Sequence, residues 1–177
     1  MKKYIVLFAV GFFVLLAISG LLLAETLPEF DGGYLKTTDG RYGEIRATKA
    51  FRTAVAYKGQ NLMDVLSLQT KPYIVDKSSL PAFAASIFKG FFLKGSYKFE
   101  AFSLHPLRER TLKDNEVFYE NRGPAKRDQP FYVPGDKIEF RQKAVGQNAY
   151  YFEPRDRLAK GEYIGWLGDD IWLFRLE

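Results

Sequence analysis

The chain has 177 residues, with 47% hydrophobic, 16% aromatic and 27% charged side chains and a formal net charge of +5 at pH 7. This length provides about one domain, and this composition is too apolar for a disordered chain. The sequence has no cysteine and one histidine, which excludes disulfides, thiolate nucleophiles, iron–sulfur clusters, Cys-ligated zinc and any site built from two imidazoles of one chain.

The N-terminus carries an apolar stretch of membrane-spanning length. Residues 4–24 contain no charge, and as a helix they extend about 30 Å, the thickness of the hydrocarbon core of a bilayer. Lys2 and Lys3 precede this stretch and Glu25 follows it, so the positive-inside rule places the N-terminus in the cytoplasm and the rest of the chain outside. The length favours an uncleaved signal-anchor in a bacterial inner membrane. The alternative is a secreted protein, released by cleavage after the small residues near position 19 or 24.

We therefore divide the chain into the segment 1–24, a linker at 25–32 and an extracytoplasmic β-rich domain at 33–177. The linker holds a proline, a glycine and three acidic residues. Without the lysines at positions 2 and 3, 24 basic residues oppose 21 acidic ones, which leaves the part outside the membrane with a net charge of +3. Nucleic-acid-binding domains carry a strongly basic face, so we expect no nucleic-acid partner.

Turn signals and alternating apolar residues predict β-strands along most of the domain. Asp39-Gly40 separates the strand-like runs 33–37 and 41–45, and this dipeptide predicts a tight hairpin in which both turn residues adopt positive φ. In residues 137–144 the apolar side chains of Ile138, Phe140 and Ala144 share one predicted face. The other predicted strands lie at 51–57, 72–75, 97–101, 149–152, 162–166 and 171–176.

Two segments carry helical signals. Residues 61–68 have apolar positions spaced for one or two helical turns. Ser79 and Pro81 are typical of a helix cap and a first helical turn, which predicts a short helix at 82–88. The sequence as a whole predicts an all-β fold with at most one short helix, a β-sandwich or small barrel of about seven to nine strands behind an N-terminal transmembrane helix.

An aromatic segment at residues 80–93 is the candidate partner surface. It contains Phe83, Phe88, Phe91 and Phe92 within ten residues. One interpretation places the segment in the core, as a helix over one end of the sandwich. The other interpretation makes it an apolar surface for a partner subunit or the bilayer. We expect at least one of the four phenylalanines to reach solvent.

A basic stretch between residues 108 and 127 is the candidate electrostatic contact. It is interleaved with acidic residues, so a solvated loop is one interpretation. The other is a salt-sensitive contact with an acidic partner or with lipid head groups. The basic residues are Arg108, Arg110, Lys113, Arg122, Lys126 and Arg127.

The sequence offers few candidate catalytic groups. His105 has no nucleophile motif beside it, and the acidic residues match no calcium-binding loop. We therefore expect no catalytic, metal or cofactor site. The alternative is a small hydrolase with a carboxylate pair, either Glu139 with Glu162 or Glu100 with Glu120.

These features favour a membrane-anchored, non-enzymatic binding or assembly protein of the bacterial cell envelope. We expect residues 4–24 to contact the lipid bilayer and the external domain to contact another envelope protein. A second hypothesis is a small-ligand or glycan-binding module that stacks ligands on surface aromatics. The candidate aromatics are Tyr34, Tyr42, Tyr150, Tyr151 and Trp166.

Overall fold

The structure, a computed structural model, describes residues 27–49, 53–60, 80–120, 123–125 and 130–177. In these ranges the chain forms fourteen β-strands and one short 3-10 helix, so the prediction of an all-β fold is confirmed. The elements are β1 (Gly32–Thr37), β2 (Tyr42–Ile45), β3 (Ala47–Lys49), β4 (Thr53–Tyr57), β5 (Ala82–Phe83), β6 (Phe88–Lys94), the 3-10 helix (Phe99–Ala101), β7 (Ser103–Arg110), β8 (Glu116–Glu120), β9 (Gly123–Ala125), β10 (Phe131–Pro134), β11 (Phe140–Gly146), β12 (Ala149–Pro154), β13 (Gly161–Leu167) and β14 (Asp170–Leu176).

The strands of the described residues are more numerous than the seven to nine predicted. The polar stretch 106–130 contains β8, β9 and most of β7, because strands in narrow sheets and at sheet edges keep many side chains in water. The chain also changes sheets at Arg46, where β2 ends and β3 begins. The residues before and after Arg46 therefore form two short strands in different sheets instead of one longer strand.

Three sheets organise these strands. The first sheet has the order β11-β12-β6-β1-β2. The second has the order β10-β7-β13-β14-β3, and β5 pairs in parallel with the end of β14. The third sheet is the small array β4-β8-β9. β7 has two neighbours in the second sheet, because its first half pairs with β13 and its second half pairs with β10.

The inner faces of the first and second sheets share one aromatic core. Phe91 of β6 packs with its ring centroid 5.1 Å from that of Phe102 and 6.0 Å from that of Trp172 on β14. All three side chains are buried, and burial of each large apolar side chain stabilises the fold by about 1.5–3 kcal/mol. The other buried members of this main core are Leu35, Ile45, Ala85, Leu93, Phe99, Leu104, Phe152, Tyr163, Leu167, Phe174 and Leu176.

A second cluster covers the outer face of the first sheet. Tyr34, Phe92 and Tyr151 stand opposite one another on β1, β6 and β12, and Phe92 is fully buried. The Lys36 amine lies 4.9 Å from the ring centroid of Tyr151 and 5.6 Å from that of Tyr42, within the range of cation–π attraction. The middle strand β6 is therefore buried on both faces.

Thr37 and Arg41 close the first hairpin around a three-residue loop. Thr37 N donates to Arg41 O at 2.9 Å, and Gly40 N donates to Thr37 O at 3.0 Å. Gly40 has a φ of 84°, whereas Asp39 stays at negative φ. The predicted hairpin is confirmed, but its loop is a type I turn followed by a left-handed glycine, which requires one positive φ rather than two.

The predicted helix at residues 82–88 is wrong. These residues form β5, a turn and the start of β6. Arg175 N donates to Pro81 O at 2.9 Å, and Ala85 N donates to Glu177 O at 2.8 Å. These hydrogen bonds draw the segment to the edge of the second sheet, so tertiary pairing overrides the local helix signals.

Two strand predictions also differ from the structure. Residues 99–101 form the 3-10 helix instead of a strand. β11 begins at Phe140, which packs against the main core on its predicted face. Ala144 has the same parity as Phe140 but is exposed, so the predicted apolar face ends before it. A bulge follows Ala144, and Val145 packs against the outer-face cluster.

A separate small core joins the third sheet to β10. Phe118 of β8 and Phe131 of β10 are fully buried, with ring centroids 5.2 Å apart. Beside them the Glu116 carboxylate accepts hydrogen bonds from Arg110 Nη2 at 2.6 Å and from Lys113 N at 3.2 Å. The Glu116 side chain is 5% exposed, so the charge of Arg110 compensates a nearly buried carboxylate.

The predicted membrane segment 4–24 lies outside the described residues, as do the predicted helix at 61–68 and the predicted strand at 72–75. In the described part of the chain, no helix has the length and apolar character needed to cross a bilayer. Of the predicted linker 25–32, residues 27–32 are described, and Gly32 already belongs to β1.

Candidate functional site

The four phenylalanines of the predicted partner surface divide into two pairs. Phe91 and Phe92 are fully buried, because β6 is the middle strand of the first sheet and alternation turns the two rings to opposite, covered faces. They belong to the core rather than to a surface. Phe83 and Phe88 are half-buried and pack against the edge of the main core, so part of each ring reaches solvent.

The turn between β5 and β6 exposes an apolar side chain next to these two rings. Ile87 is 43% exposed, and its carbonyl accepts a hydrogen bond from Thr38 N at 2.7 Å. Ile87 N donates to Ala84 O at 3.2 Å. The Phe83 ring packs directly against Gly43 of β2, where it occupies the space that a Cβ atom would need. Hydrogen bonds to the first hairpin and within the turn therefore fix the backbone at Ile87, whose side chain is exposed.

A shallow cleft opens beside this turn. It has a volume of about 200 Å³ and is lined by Phe88, Lys89 and residues 153–158. The pairing of β6 with β12 brings these two segments of the chain together. Phe88, Pro154 and Leu158 supply apolar walls, and the charged lining residues are Lys89, Glu153, Arg155, Asp156 and Arg157.

The cleft carries charged side chains that the described part of the fold leaves without an ion pair. Within the described ranges, neither Lys89 nor Arg157 has an ion-pair partner, and both side chains are exposed. Arg155 differs, because its Nη1 lies 2.9 Å from Glu139 Oε2. Glu153 and Asp156 also line the cleft without an ion pair in the described ranges, so the cleft combines an apolar wall with unpaired charges of both signs. We call Ile87, Phe88, Lys89, Arg157 and Leu158 the turn–cleft surface.

Lys89 and Arg157 can bind an anionic group that is carried beside an apolar side chain. Lysine and arginine donate charge-assisted hydrogen bonds to carboxylates, while Ile87 and the cleft walls can bury an apolar neighbour. The volume is small for a cofactor, since ligand pockets usually enclose about 300–1,000 Å³. A peptide side chain or a short chain segment is a closer match in size.

The predicted basic cluster is described only in part, since Arg108, Arg110 and Lys113 are described but Arg122, Lys126 and Arg127 lie outside the described residues. Arg108 Nη2 lies 2.6 Å from Asp136 Oδ2. Arg110 Nη2 lies 2.6 Å from Glu116 Oε1. Both arginines thus have an acidic partner within the fold, which reduces the free positive charge of this region. The contact with an acidic partner or with lipid head groups stays a prediction.

The aromatics of the glycan hypothesis lie in three separate places: Tyr34, Tyr42 and Tyr151 in the outer-face cluster, Tyr150 beside the main core, and Trp166 on the outer face of the second sheet. The Tyr150 ring packs with its centroid 4.2 Å from that of Phe99. Burial raises the pKa of Tyr34 above its ordinary value of 10.0, and the carboxylates of Glu44 and Asp31 add to this shift. These five rings pack mainly against protein neighbours and do not form one platform.

Three of the five candidate catalytic groups have partners within the fold. His105 Nδ1 lies 2.9 Å from the carbonyl oxygen of Gly135. Glu139 precedes β11 of the first sheet and Glu162 lies on β13 of the second, and each is within 3.3 Å of an arginine. Across the described ranges, no group of three or more histidine, aspartate or glutamate residues is placed to hold a metal ion.

Sequence reasoning missed Lys89, Arg157 and Leu158 as members of one surface. Lys89 stands among phenylalanines, where the aromatic pattern dominates, and residues 155–157 have the mixed charge of an ordinary loop. The available signal was the position of this charged loop directly after the strand 149–152. The strand that pairs with residues 149–152 cannot be predicted from residue spacing alone.

Comparison of the chain with protein-family models, with curated proteins and with solved structures finds no match. The function is therefore inferred from the groups that the fold leaves exposed.

Proposed function

We propose that the chain is a non-enzymatic binding or assembly protein of the bacterial cell envelope, with a sandwich-type domain outside the cytoplasm. Residues 4–24 anchor it in the inner membrane, with the N-terminus in the cytoplasm. The uncharged length of this segment and the two lysines before it support that topology. The partner in this proposal is another envelope protein.

The observation that carries the proposal is the exposed turn–cleft surface. Backbone hydrogen bonds fix the turn that carries Ile87, and its side chain is exposed, although an apolar side chain gains from removal from water. Lys89 and Arg157 stand beside it without an ion pair inside the described fold. A fixed apolar contact flanked by free charges resembles the centre and rim of a protein–protein interface.

The surface also indicates the chemistry of the partner. The partner presents an apolar side chain to Ile87 and Phe88, and an aspartate or glutamate to Lys89 and Arg157. Contacts between exposed charges are screened over a Debye length of about 8 Å at physiological ionic strength. We therefore expect the complex to form more slowly at high salt, while the apolar contact retains part of the affinity.

The test is site-specific photocrosslinking of the full-length chain in intact membranes. A photoreactive side chain at Ile87 should crosslink one envelope protein reproducibly, and the yield should fall when Lys89 and Arg157 are both changed to glutamate. The matched control is the same photoreactive side chain at Tyr57, which is 54% exposed but lies on the third sheet. Equal crosslinking at both positions, or none at Ile87, would contradict the proposed surface.

Membrane topology is tested separately. A reporter that is active only outside the cytoplasm should be active when fused after Glu177. The full-length chain should also stay in the membrane fraction after washing with high salt and carbonate. Release of a soluble protein that begins near residue 20 or 25 would show a cleaved signal, and the anchor would then be wrong.

A further inference from the structure

The described part of the linker is fastened to the first sheet. The Lys94 amine of β6 donates hydrogen bonds to the carbonyls of Pro28, at 3.0 Å, and of Glu29. The Tyr34 hydroxyl donates to Phe30 O at 3.1 Å. Residues 27–31 therefore leave the domain along a defined path rather than as a free tether.

This path exposes two apolar side chains. Phe30 is 73% exposed, and Leu27 is 38% exposed. Leu27 lies next to the turn between β11 and β12, since its Cδ1 atom is 3.6 Å from the position of a Cβ atom built on Gly146. We call Leu27 and Phe30 the N-terminal apolar pair.

The length of chain before Leu27 fixes how far this pair can lie from the bilayer. Three Cα–Cα steps separate position 24 from Leu27, and they span at most about 11 Å. The headgroup layer on each side of the hydrocarbon core is about 5–8 Å thick. If residues 4–24 span the membrane, Leu27 lies in the headgroup layer or within about 6 Å of its outer surface.

We propose that the N-terminal apolar pair contacts the bilayer and seats the domain on the outer surface of the membrane. This inference rests on the proposed function, because it requires the anchor at residues 4–24. Phe30 enters the headgroup region, and Leu27 with the β11–β12 turn lies beside it. Lys94 and Tyr34 are positioning residues, since they hold the backbone from which Phe30 projects.

In this proposal the N-terminal apolar pair contacts the apolar part of the membrane interface rather than anionic head groups. The exposed residues Glu29 and Asp31 flank Phe30, and their charges are repelled by anionic lipid. Contact through apolar burial is insensitive to salt, whereas contact through charge is weakened by it. Vesicles of zwitterionic phosphatidylcholine are therefore the appropriate probe.

The absence of cysteine from the chain permits single nitroxide labels at chosen positions. The full-length chain is reconstituted in phosphatidylcholine vesicles at a low protein-to-lipid ratio, with a label at Phe30→Cys, Gln147→Cys or Tyr57→Cys. We expect the label at position 30 to collide several-fold less often with a water-soluble nickel chelate, and more often with oxygen, than the label at position 57. The label at position 147 should collide with the chelate at an intermediate frequency. When Phe30→Asp is added to the Gln147→Cys chain, the label at position 147 should collide with the chelate more often.

The outcomes separate this inference from the proposed function. If carbonate releases the chain, the anchor is wrong. If the chain stays in the membrane but the labels at positions 30 and 57 meet the chelate equally, the anchor stands and the seating of the domain is wrong. Spin–spin broadening at position 30 that disappears on dilution with unlabelled chain would identify a second copy as the occupant and would also overturn the inference.

Discussion

Two adjacent parts of the segment 80–93 have similar apolar sequences and opposite surroundings. Phe91 and Phe92 in β6 are fully buried, whereas Ile87 in the preceding turn is 43% exposed. The difference comes from strand neighbours. β6 has a strand on each side and a side-chain cluster on each face, while β5 pairs with β14 alone. Apolar content alone therefore does not separate a core from a contact surface; the number of covering elements does.

Within residues 80–93, β6 therefore contributes to stability, and the turn before it is the part that we propose for binding. Substitutions in β6 should act on the free energy of unfolding. Substitutions in the turn should act on partner contact and leave the fold intact. Phe91→Asp, Phe92→Asp and Ile87→Asp test this division directly.

The largest effect is expected for Phe91→Asp and Phe92→Asp. Truncation of a buried phenylalanine to alanine costs about 3–5 kcal/mol, and a buried unpaired carboxylate adds a further desolvation penalty. A domain of ordinary stability has about 5–15 kcal/mol in total, so both variants should lack a cooperative urea transition. The control is Phe30→Asp, which changes a 73% exposed ring and should unfold like the wild type. A normal transition for Phe92→Asp would show that the outer face of the first sheet is not a core.

A smaller effect is expected at two ion pairs with the same separation. Arg110–Glu116 and Arg108–Asp136 both have 2.6 Å between nitrogen and oxygen, but the Glu116 side chain is 5% exposed and that of Asp136 is 89% exposed. Glu116→Gln should lower the free energy of unfolding by about 1.5–3 kcal/mol, the contribution of a hydrogen bond to a charged group. Asp136→Asn should change it by less than about 1 kcal/mol. Urea denaturation measures both, and equal losses would show that burial does not distinguish the pairs.

Local sequence signals located several elements correctly. The strands predicted at 149–152, 162–166 and 171–176 correspond to β12, β13 and β14, which extend them by one or two residues. Their alternating aromatic and aliphatic residues match a pleated surface. The Asp39-Gly40 dipeptide also located the first hairpin, although the structure closes it with a three-residue loop.

The failures occurred where long-range pairing decides the conformation. Ser79 and Pro81 give a helix signal, but Pro81 O accepts a hydrogen bond from Arg175, more than ninety residues along the chain. The turn–cleft surface could not be predicted from the sequence for the same reason. Lys89 and Arg157 belong to one cleft only because β6 pairs with β12, and no local spacing encodes that pairing.

Ile87→Asp should leave stability almost unchanged. Its side chain is exposed, and surface substitutions away from special backbone positions usually change the free energy of unfolding by no more than about 0.5 kcal/mol. The same variant should strongly reduce the amount of the partner that co-purifies with the full-length chain from solubilised membranes, because a charge replaces the apolar contact. Urea denaturation and the yield of co-purified partner are measured on the same preparation. A marked loss of stability would place Ile87 in the core and would remove the distinction between the turn and β6.

The last effect depends on pH and concerns a tyrosine of the main core. Burial raises the pKa of Tyr163 above its ordinary value of 10.0, and its hydroxyl donates to Ala159 O at 2.7 Å. A tyrosine with a raised pKa favours the folded state fully below the unfolded pKa, and this contribution is lost as pH rises above about 10. Tyr163→Phe removes the ionisable group, so its free energy of unfolding should fall less steeply than that of the wild type between neutral pH and pH 11.

At neutral pH the Tyr163→Phe variant should be less stable by about 0.5–1.5 kcal/mol, because it lacks one hydrogen bond. The difference from the wild type should therefore shrink as pH rises. The matched control is Tyr57→Phe in the third sheet, an exposed ring whose substitution should change the free energy of unfolding at neutral pH by no more than about 0.5 kcal/mol. If the wild type and Tyr163→Phe keep a constant separation across this range, the Tyr163 hydroxyl is solvated, and the edge of the main core is more open than the structure indicates.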